Sequence, residues 1–425
     1  MSAVASARRR REVLDALRRG TVPHNGLDLL AVGLGRFESA LNSELDSVRA
    51  GGAVFKAVRG EYGSGKTFFS RWLGERAKRL GMAVAEVQVS ETETPLHKLE
   101  TVYRRVCESL ETAEFPPSAF RPVLDAWLFA LESEGGSVDA LLEKRLAEVS
   151  RTTPAFAAAL RGYRHAQLAG DEATAEGLVA WLGGQPHVAA SIRRSAGVRG
   201  DLDHFGAFGF LQGLLTVLRD SGHPGLLLVL DEVETLQRVR TDVREKALNA
   251  LRQLVDEVDG GRFPGLHLLI TGTPAFFDGT QGMQRLPPLA QRLATDFNTD
   301  ARFDNPRAVQ IRLPGFSQDL LREVGATVRN LYANGSESAE RVSELVDDDY
   351  IATLASAVSG SLGGQVGVAP RVFLKKLVGE VLDRVDQFDD FDPRRHYKLT
   401  VSDGELTDVE RNAAAAATSP DDIEL

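Results

Sequence analysis

The run "GEYGSGKT", residues 60–67, has the residue types and spacing of a phosphate-binding loop. Gly60, Gly65, Lys66 and Thr67 satisfy the pattern G-x-x-x-x-G-K-S/T. Glycines let backbone N–H groups approach phosphates, the lysine reaches the β- and γ-phosphates, and the threonine hydroxyl is a ligand for Mg²⁺. The alternative is a chance glycine-rich turn. The residues expected to contact ATP are Gly60, Gly63, Ser64, Gly65, Lys66, Thr67 and Phe68.

A second motif, "LLLVLDEVE" at residues 226–234, places two carboxylates at the end of an apolar run. Asp231 is expected to hold Mg²⁺, together with Thr67, because parallel α/β folds bind ligands at the carboxyl ends of their strands. Glu232 is expected to orient or deprotonate the water that attacks the γ-phosphate. The alternative is that both carboxylates cap the following helix and that Glu232 is only solvated.

Three further residues have positions suited to completing such a site. Thr271 ends the apolar run "LHLLIT", where its hydroxyl could bond the γ-phosphate or the water, although threonine also favours strands in general. Arg292 and Arg371 could stabilise the charge that develops during phosphate hydrolysis. The alternative for each arginine is a surface position or an ordinary ion pair.

The elements around these motifs predict an α/β fold with a parallel sheet. The strand "GGAVFKAVRG" precedes the glycine loop, a helix over about 66–80 follows it, and "GMAVAEVQVS" is a second strand. A strand–helix–strand unit of this kind implies parallel strands. Three later strands, in "GHPGLLLVLDEVE", "GLHLLITGTP" and "PRAVQIRLPGF", extend the same sheet.

The pattern of helices and strands divides the chain into five segments. The glycine-loop strands and the late strands form one core, interrupted by a long helical stretch and followed by helices alone. The segments are an N-terminal helical segment with a linker to the nucleotide pocket (1–50), the P-loop ATPase core (51–94 and 221–314), a helical insertion (95–220), a helical lid (315–400) and a polar tail expected to be flexible (401–425).

Composition excludes several functional classes. The 425 residues include a single cysteine, Cys107, so the chain has no internal disulfide, and a buried core thiol is favoured over a reactive one. No apolar run reaches the roughly 20 residues of a membrane helix, and the N-terminus is no secretory signal, so a cytoplasmic protein with no membrane partner is expected. The histidines show no zinc spacing.

The net charge of the chain and its basic clusters bear on whether it binds double-stranded DNA. A net charge of −10 does not favour non-specific DNA binding, which depends on neutralising phosphates, but a local basic patch is compatible with it. The clearest cluster is "SIRRSAGVRGD", which contains Arg193, Arg194 and Arg199. A loop of solvated charges is favoured over a DNA-binding surface there, and a solvated face is likewise favoured for the run 8–11.

The order of these motifs resembles that of the AAA+ group of P-loop ATPases, in particular its origin-recognition-like branch. In that group a polar sensor follows the acidic motif, an arginine finger precedes the last core strand, and a second sensor arginine lies in a helical lid. The resemblance implies that Thr271 is the first sensor, Arg292 the finger and Arg371 the second sensor. The element "VGLGR" departs from the segment that lies near the adenine pocket in that group, so no base contact is predicted for Val32 or Arg36.

A closer resemblance covers roughly residues 10–400. The segments "ALRRGTVPHNGLDLLAVGLGR", "GGAVFKAVRGEYGSGKTFF", "LVLDEVETL" and "ITGTPAFFDG" are similar to those of the ATP-binding protein of BREX (bacteriophage-exclusion) systems, BrxD type. This resemblance implies a cytoplasmic bacterial ATPase with an antiviral role that works with other defence proteins.

Two functions remain open on these grounds. The first is a Mg²⁺-dependent ATPase that forms a homo-oligomer on ATP or DNA and remodels DNA or partner proteins. The second is a switch whose ATP-bound state recruits other defence proteins with little turnover. A metabolic kinase is disfavoured, because no acceptor site is evident.

Overall fold

The computed structural model contains a five-stranded sheet and describes residues 6–134, 137–361 and 370–402 together with 406 and 411. The strand order is β2-β3-β4-β1-β5, and β3 pairs in parallel with both β2 and β4. The predicted parallel α/β fold is therefore confirmed. The strands are β1 (Val54–Arg59), β2 (Ala83–Gln88), β3 (Leu226–Asp231), β4 (Leu266–Gly272) and β5 (Gln310–Arg312).

The two central strands have the composition that a strand covered on both faces requires. All residues of β3 and β4 are buried, and most of their side chains are aliphatic. The sheet order inserts β4 between β1, which leads into the glycine loop, and β3, which carries the acidic motif. The carboxyl ends of β3 and β4 are consequently neighbours, which brings Asp231 and Thr271 together.

Helices make up most of the remaining described chain. Those from α1 to α11 are α1 (Ala7–Arg19), α2 (Gly35–Arg49), α3 (Lys66–Arg79), α4 (Leu99–Ser109), α5 (Phe120–Ser133), α6 (Val138–Arg145), α7 (Ala147–Thr152), α8 (Pro154–Ala169), α9 (Glu172–Leu182), α10 (Ala190–Ser195) and α11 (Gly206–Asp220). Those that follow β3 are α12 (Thr241–Asp259), α13 (Pro274–Asp278), α14 (Pro287–Arg292), α15 (Gln318–Ala333), α16 (Ala339–Leu345), α17 (Asp348–Ser361), α18 (Pro370–Lys375), α19 (Asp383–Gln387) and α20 (Pro393–His396). A π-helical stretch, Lys376–Leu382, joins α18 to α19. None of these helices is long and apolar enough to cross a membrane, as far as the described ranges extend.

The chain separates into two compact units. The first unit contains residues 1–39, 59–75 and 312–425, and the second contains 40–58 and 76–311. Each unit has its own cluster of buried apolar side chains. The five segments expected from the sequence stay a prediction, and the tail at 401–425 lies almost entirely outside the described residues.

The chain between β2 and β3 forms helices α4 to α11, as the sequence pattern predicts. Cys107 lies in α4 and is buried. Burial raises the pKa of its thiol to about 12, so the group stays protonated and unreactive at neutral pH. The interpretation of Cys107 as a core residue is confirmed.

Candidate active site

The glycine loop of the first unit has the backbone that a phosphate cradle needs. It lies between the end of β1 and the start of α3, which begins at Lys66. Gly63 and Gly65 have φ angles of 75° and 90°, a region that favours glycine. A Cβ atom on Gly60 would lie 2.3 Å from Oγ of Ser64, so a side chain there would require the Ser64 hydroxyl to move. The loop therefore has the glycine conformations expected of a phosphate-binding loop, and its contact with ATP stays a prediction.

Lys66 is buried at the start of α3, with its ammonium group directed back to the loop. Its Nζ donates hydrogen bonds to the carbonyl oxygens of Gly60 at 2.9 Å and Glu61 at 3.2 Å. The same nitrogen lies 5.2 Å from the centre of the Tyr62 ring. The positive charge is thus held beside the glycine backbone, where phosphate oxygens would compete for its hydrogens.

Two aromatic side chains of the first unit, Phe68 and Phe316, lie beside the loop. A ring carbon of Phe316 is 3.6 Å from the position of a Cβ atom on Gly65. Phe68, Phe316 and Val32 all pack against the same buried cluster. Arg36 instead donates a hydrogen bond to the carbonyl oxygen of residue 312 at 2.9 Å. The sequence did not identify Phe316, although an aromatic residue shortly after the last strand was the available signal.

In the second unit, polar groups at the carboxyl ends of β3 and β4 are joined by hydrogen bonds. Asp231 and Thr271 are 4% and 0% exposed. The Thr271 hydroxyl donates to Oδ1 of Asp231, which also accepts the backbone N–H of Glu232 at 3.0 Å. Thr271 therefore orients the Asp231 carboxylate here, and its predicted contact with a γ-phosphate or water stays a prediction.

Glu232 has a strained backbone and a hydrogen-bonded side chain. Its φ and ψ angles of 61° and 44° are left-handed, which costs a non-glycine residue roughly 1–3 kcal/mol. The Nε2 atom of Gln88 donates to Oε2 of Glu232 at 2.8 Å. Gln88 ends β2 and lies opposite Asp231 in the sheet. Sequence reasoning missed Gln88, whose only signal was a polar residue at the end of a strand.

The residues expected to hold Mg²⁺ supply suitable donor atoms. Mg²⁺ prefers oxygen ligands and is often bound by one or two carboxylates together with substrate phosphates. Asp231 supplies a carboxylate at a strand end, and Thr67 supplies a hydroxyl in the first turn of α3. In the described residues no group of three or more His, Cys, Asp or Glu side chains is placed to hold a metal ion. The two predicted ligands therefore fit Mg²⁺ by chemical type.

Arg292, the predicted finger, is the last residue of α14 and forms an ion pair. Its Nε atom contacts Oδ1 of Asp256, and its Nη1 lies 3.8 Å from Oδ2 of Asp259. The side chain is nevertheless 45% exposed. The ion pair named as the alternative for Arg292 is thus observed, and a role of this residue in hydrolysis stays a prediction.

Arg371, the predicted lid sensor, belongs to α18 of the first unit. Its side chain is half-buried and packs against the end of α1, where Nη1 is 3.6 Å from the position of a Cβ atom on Gly20. The contact shows how the side chain is placed within that unit. Its role towards a nucleotide stays a prediction.

The basic cluster around residues 191–201 lies in the second unit, and one of its arginines is ion-paired. Arg193 lies 3.4 Å from Oδ1 of Asp201, and Arg194 donates to the carbonyl oxygen of Ala190 at 3.2 Å. Arg199 is exposed. Arg193 and Arg194 belong to helix α10, so the interpretation as a loop is wrong for these two residues, whereas the exposure of Arg194 and Arg199 agrees with solvated charges.

Comparison with known proteins adds family information to this geometry. The family described as "BREX system ATP-binding protein BrxC/D" matches residues 5–401. The comparison with curated proteins gave no match. Among solved structures, the chain is similar to one titled "Structure of the Aeropyrum Pernix ORC2 protein (ADPNP-ADP complexes)". That likeness has a TM-score of 0.35 and 13% sequence identity, and it covers 81% of this chain and 67% of the other.

Proposed function

Because the chain belongs to the BREX system ATP-binding proteins BrxC/D, we propose that it is a Mg²⁺-dependent ATPase of a phage-defence system. The observation that carries the proposal is the glycine loop, in which Gly63 and Gly65 have positive φ angles and the buried ammonium of Lys66 donates to the carbonyl oxygens of Gly60 and Glu61. The second support is the Asp231–Glu232 pair at the carboxyl end of β3. We propose that hydrolysis drives remodelling of DNA or of partner proteins.

Each side chain has a distinct part in the proposed reaction. Lys66 and the loop N–H groups bind the phosphates, and Mg²⁺, when bound, would neutralise part of the phosphate charge. Asp231 and Thr67 would hold the ion, and Thr271 fixes the carboxylate of Asp231. Glu232 accepts the proton of the attacking water.

The remaining roles are contact with the nucleotide base and stabilisation of the negative charge that develops on the γ-phosphate during hydrolysis. Phe68 and Phe316 offer apolar surface for the nucleotide base, a use that suits aromatic side chains in ligand sites. Arg371 acts on the γ-phosphate from within the same chain, and Arg292 acts on the nucleotide of a neighbouring subunit. This role for Arg292 requires a homo-oligomer, formed on ATP or DNA binding.

The second candidate function is an ATP-dependent recruitment switch with little turnover. The hydrogen bond from Gln88 favours this alternative, because it holds the carboxylate that would otherwise accept a proton from water. In such a protein, a partner that draws Gln88 away from Glu232 would start hydrolysis. The two functions therefore differ in the basal rate of ATP hydrolysis, which is lower for the switch.

We expect Gln88→Ala to raise the basal ATPase rate by about threefold to tenfold. The substitution removes a hydrogen bond to a charged group, which contributes about 1.5–3 kcal/mol and restrains Glu232. Steady-state phosphate release measures the rate, and Gln237→Ala, which removes an amide that bonds a backbone carbonyl of α13, is the matched control. A lower rate in Gln88→Ala would mean that Gln88 orients Glu232 productively.

The basic cluster gives a separate prediction. We expect replacement of Arg193, Arg194 and Arg199 by glutamine to change duplex DNA affinity by less than about twofold, because Arg193 is already paired and few phosphates would be neutralised. Fluorescence anisotropy with a short duplex, at two salt concentrations, measures the effect. A marked loss of salt-dependent affinity would instead identify the cluster as a DNA-binding surface.

We further propose that the protein acts in the cytoplasm together with other proteins of the defence system. The family match supports such partners without identifying them. ATPase rates with and without duplex DNA, and with each co-encoded defence protein, test this. A partner or DNA that raises the rate is expected for a remodelling ATPase.

A further inference from the structure

A polar cavity lies beside α1, α19 and the turn that follows α15, and all of these elements belong to the first unit. Its volume is about 190 Å³, and none of its lining residues belongs to the glycine loop. Because three guanidinium groups face it, we name it the arginine cavity. The polar residues of its lining are Arg10, Arg11, Arg18, Tyr332, Ser336 and Asp386.

The positive charge of Arg18 is already matched within the protein. Its Nε and Nη2 atoms donate to Oδ2 and Oδ1 of Asp383 at 2.7 and 2.8 Å. Its Nη1 atom donates to Oδ1 of Asp15. Arg18 therefore attaches α1 to α19, and its charge is not available to balance a ligand.

Asp386 supplies the carboxylate of the lining and is held by hydroxyl groups. The Ser336 hydroxyl donates to its Oδ1 atom. The Tyr332 hydroxyl lies 3.2 Å from Oδ2 of Asp386 and 2.9 Å from Oδ1 of Asp383, so its single proton bonds one carboxylate at a time. Burial raises the pKa of Tyr332, which keeps this hydroxyl protonated at neutral pH. Asp386 is consequently turned towards α15 and the turn after it.

Arg10 and Arg11 differ from Arg18 in having no side-chain partner. Neither guanidinium group forms an ion pair or a hydrogen bond with any residue that the structure describes. Arg10 is half-buried and lies so close to Gly335 that a Cβ atom there would overlap its guanidinium group, whereas Arg11 is exposed. Two unmatched positive charges therefore face one cavity, and their repulsion favours a bound anion.

We propose that the arginine cavity is a second phosphate site, at which Arg10 and Arg11 bind a phosphate group that carries two negative charges. Guanidinium groups offer planar pairs of N–H donors that match phosphate oxygens. A phosphate monoester carries roughly 1.5 to 2 negative charges at neutral pH and three acceptor oxygens, which suits two arginines better than a carboxylate does. Inorganic phosphate and the terminal phosphate of a nucleic acid strand share this chemistry. The site is independent of the proposed ATP hydrolysis.

Isothermal titration calorimetry of the full chain with inorganic phosphate tests the site. Every protein carries Lys66→Ala, so that the glycine loop does not contribute to binding. We expect Arg10→Gln and Arg11→Gln each to weaken phosphate binding by about tenfold or more, because each removes hydrogen bonds to a charged ligand. Arg8→Gln is the matched control, since it removes the same charge from α1 at a guanidinium group that pairs with Glu12. It should leave phosphate affinity within about twofold.

A substitution that keeps the net charge gives an independent test. Gly335→Ala places a methyl group where the Arg10 guanidinium lies, and Gly335 has no left-handed φ angle that alanine would strain. We expect it to weaken phosphate binding about as much as Arg10→Gln. It also decides by the same criterion if Arg10→Gln fails to fold. In proteins that keep Lys66, neither change should alter ATP affinity by more than about twofold, because the cavity lies apart from the glycine loop.

Two further ligands identify what the site prefers. Acetate, which has one negative charge, should bind at least about tenfold more weakly than phosphate. A DNA strand with a 5′-phosphate that binds better than the same strand without it, through Arg10 and Arg11, identifies a nucleic acid end as the source, and equal binding identifies free phosphate. Absence of phosphate binding, acetate binding as tight as that of phosphate, or equal weakening by Arg8→Gln and Arg10→Gln overturns the second phosphate site. None of these results depends on whether the chain hydrolyses ATP.

Discussion

Glu232→Gln is expected to lower the rate of ATP hydrolysis by about 10²–10⁴-fold, the usual contribution of a positioned general base. The amide has nearly the same size as the carboxylate but cannot accept the proton of water. ATP affinity should stay within about threefold, because the phosphate loop is unchanged. Steady-state phosphate release and calorimetry measure the two quantities.

The structure makes this substitution informative. Glu232 keeps its left-handed backbone in the variant, since the strain arises from the main chain and its N–H bond to Asp231. Glu245→Gln, which changes an exposed carboxylate on α12 of the same unit, is the control and should retain the wild-type rate. If Glu232→Gln hydrolyses ATP at the wild-type rate, Glu232 is not the base.

The second large effect is expected for Arg292→Ala, which should lower turnover by about 10³-fold if the guanidinium stabilises charge at a neighbour's nucleotide. The free energy of unfolding should change by less than about 1 kcal/mol, because the Arg292 side chain in these ion pairs is half-exposed. ATPase assays at high protein concentration and thermal unfolding measure the two effects. If Arg292→Ala hydrolyses ATP at the wild-type rate, Arg292 forms its ion pair and takes no part in hydrolysis.

Two comparisons show whether Arg292 acts through a neighbour. Asp256→Asn removes the main ion-pair partner but keeps the arginine, so turnover should remain near the wild-type rate. Mixing Arg292→Ala with Glu232→Gln should restore activity, because each variant supplies the group that the other lacks. A mixture as inactive as its components contradicts action between subunits.

The sequence determined the parts of the candidate site whose geometry depends on a few neighbouring residues. The glycine loop is an example, because its positive-φ glycines and the start of α3 at Lys66 follow from a contiguous run. Asp231 is another, since an apolar run ending in a carboxylate is local information. The parallel α/β fold followed from the same strand–helix periodicity.

Tertiary structure alone decided how these parts are connected. Gln88 and Glu232 are 144 positions apart, and their hydrogen bond exists because β2 pairs beside β3. Glu75 and Leu27 are 48 positions apart, and no spacing rule predicts that a carboxylate of α3 accepts the backbone N–H of Leu27. The pairing of Arg193 with Asp201 likewise depended on how the loop folds. Hydrogen bonds between distant residues depend on the packing of whole elements, whereas loops and strand ends are encoded by adjacent residues.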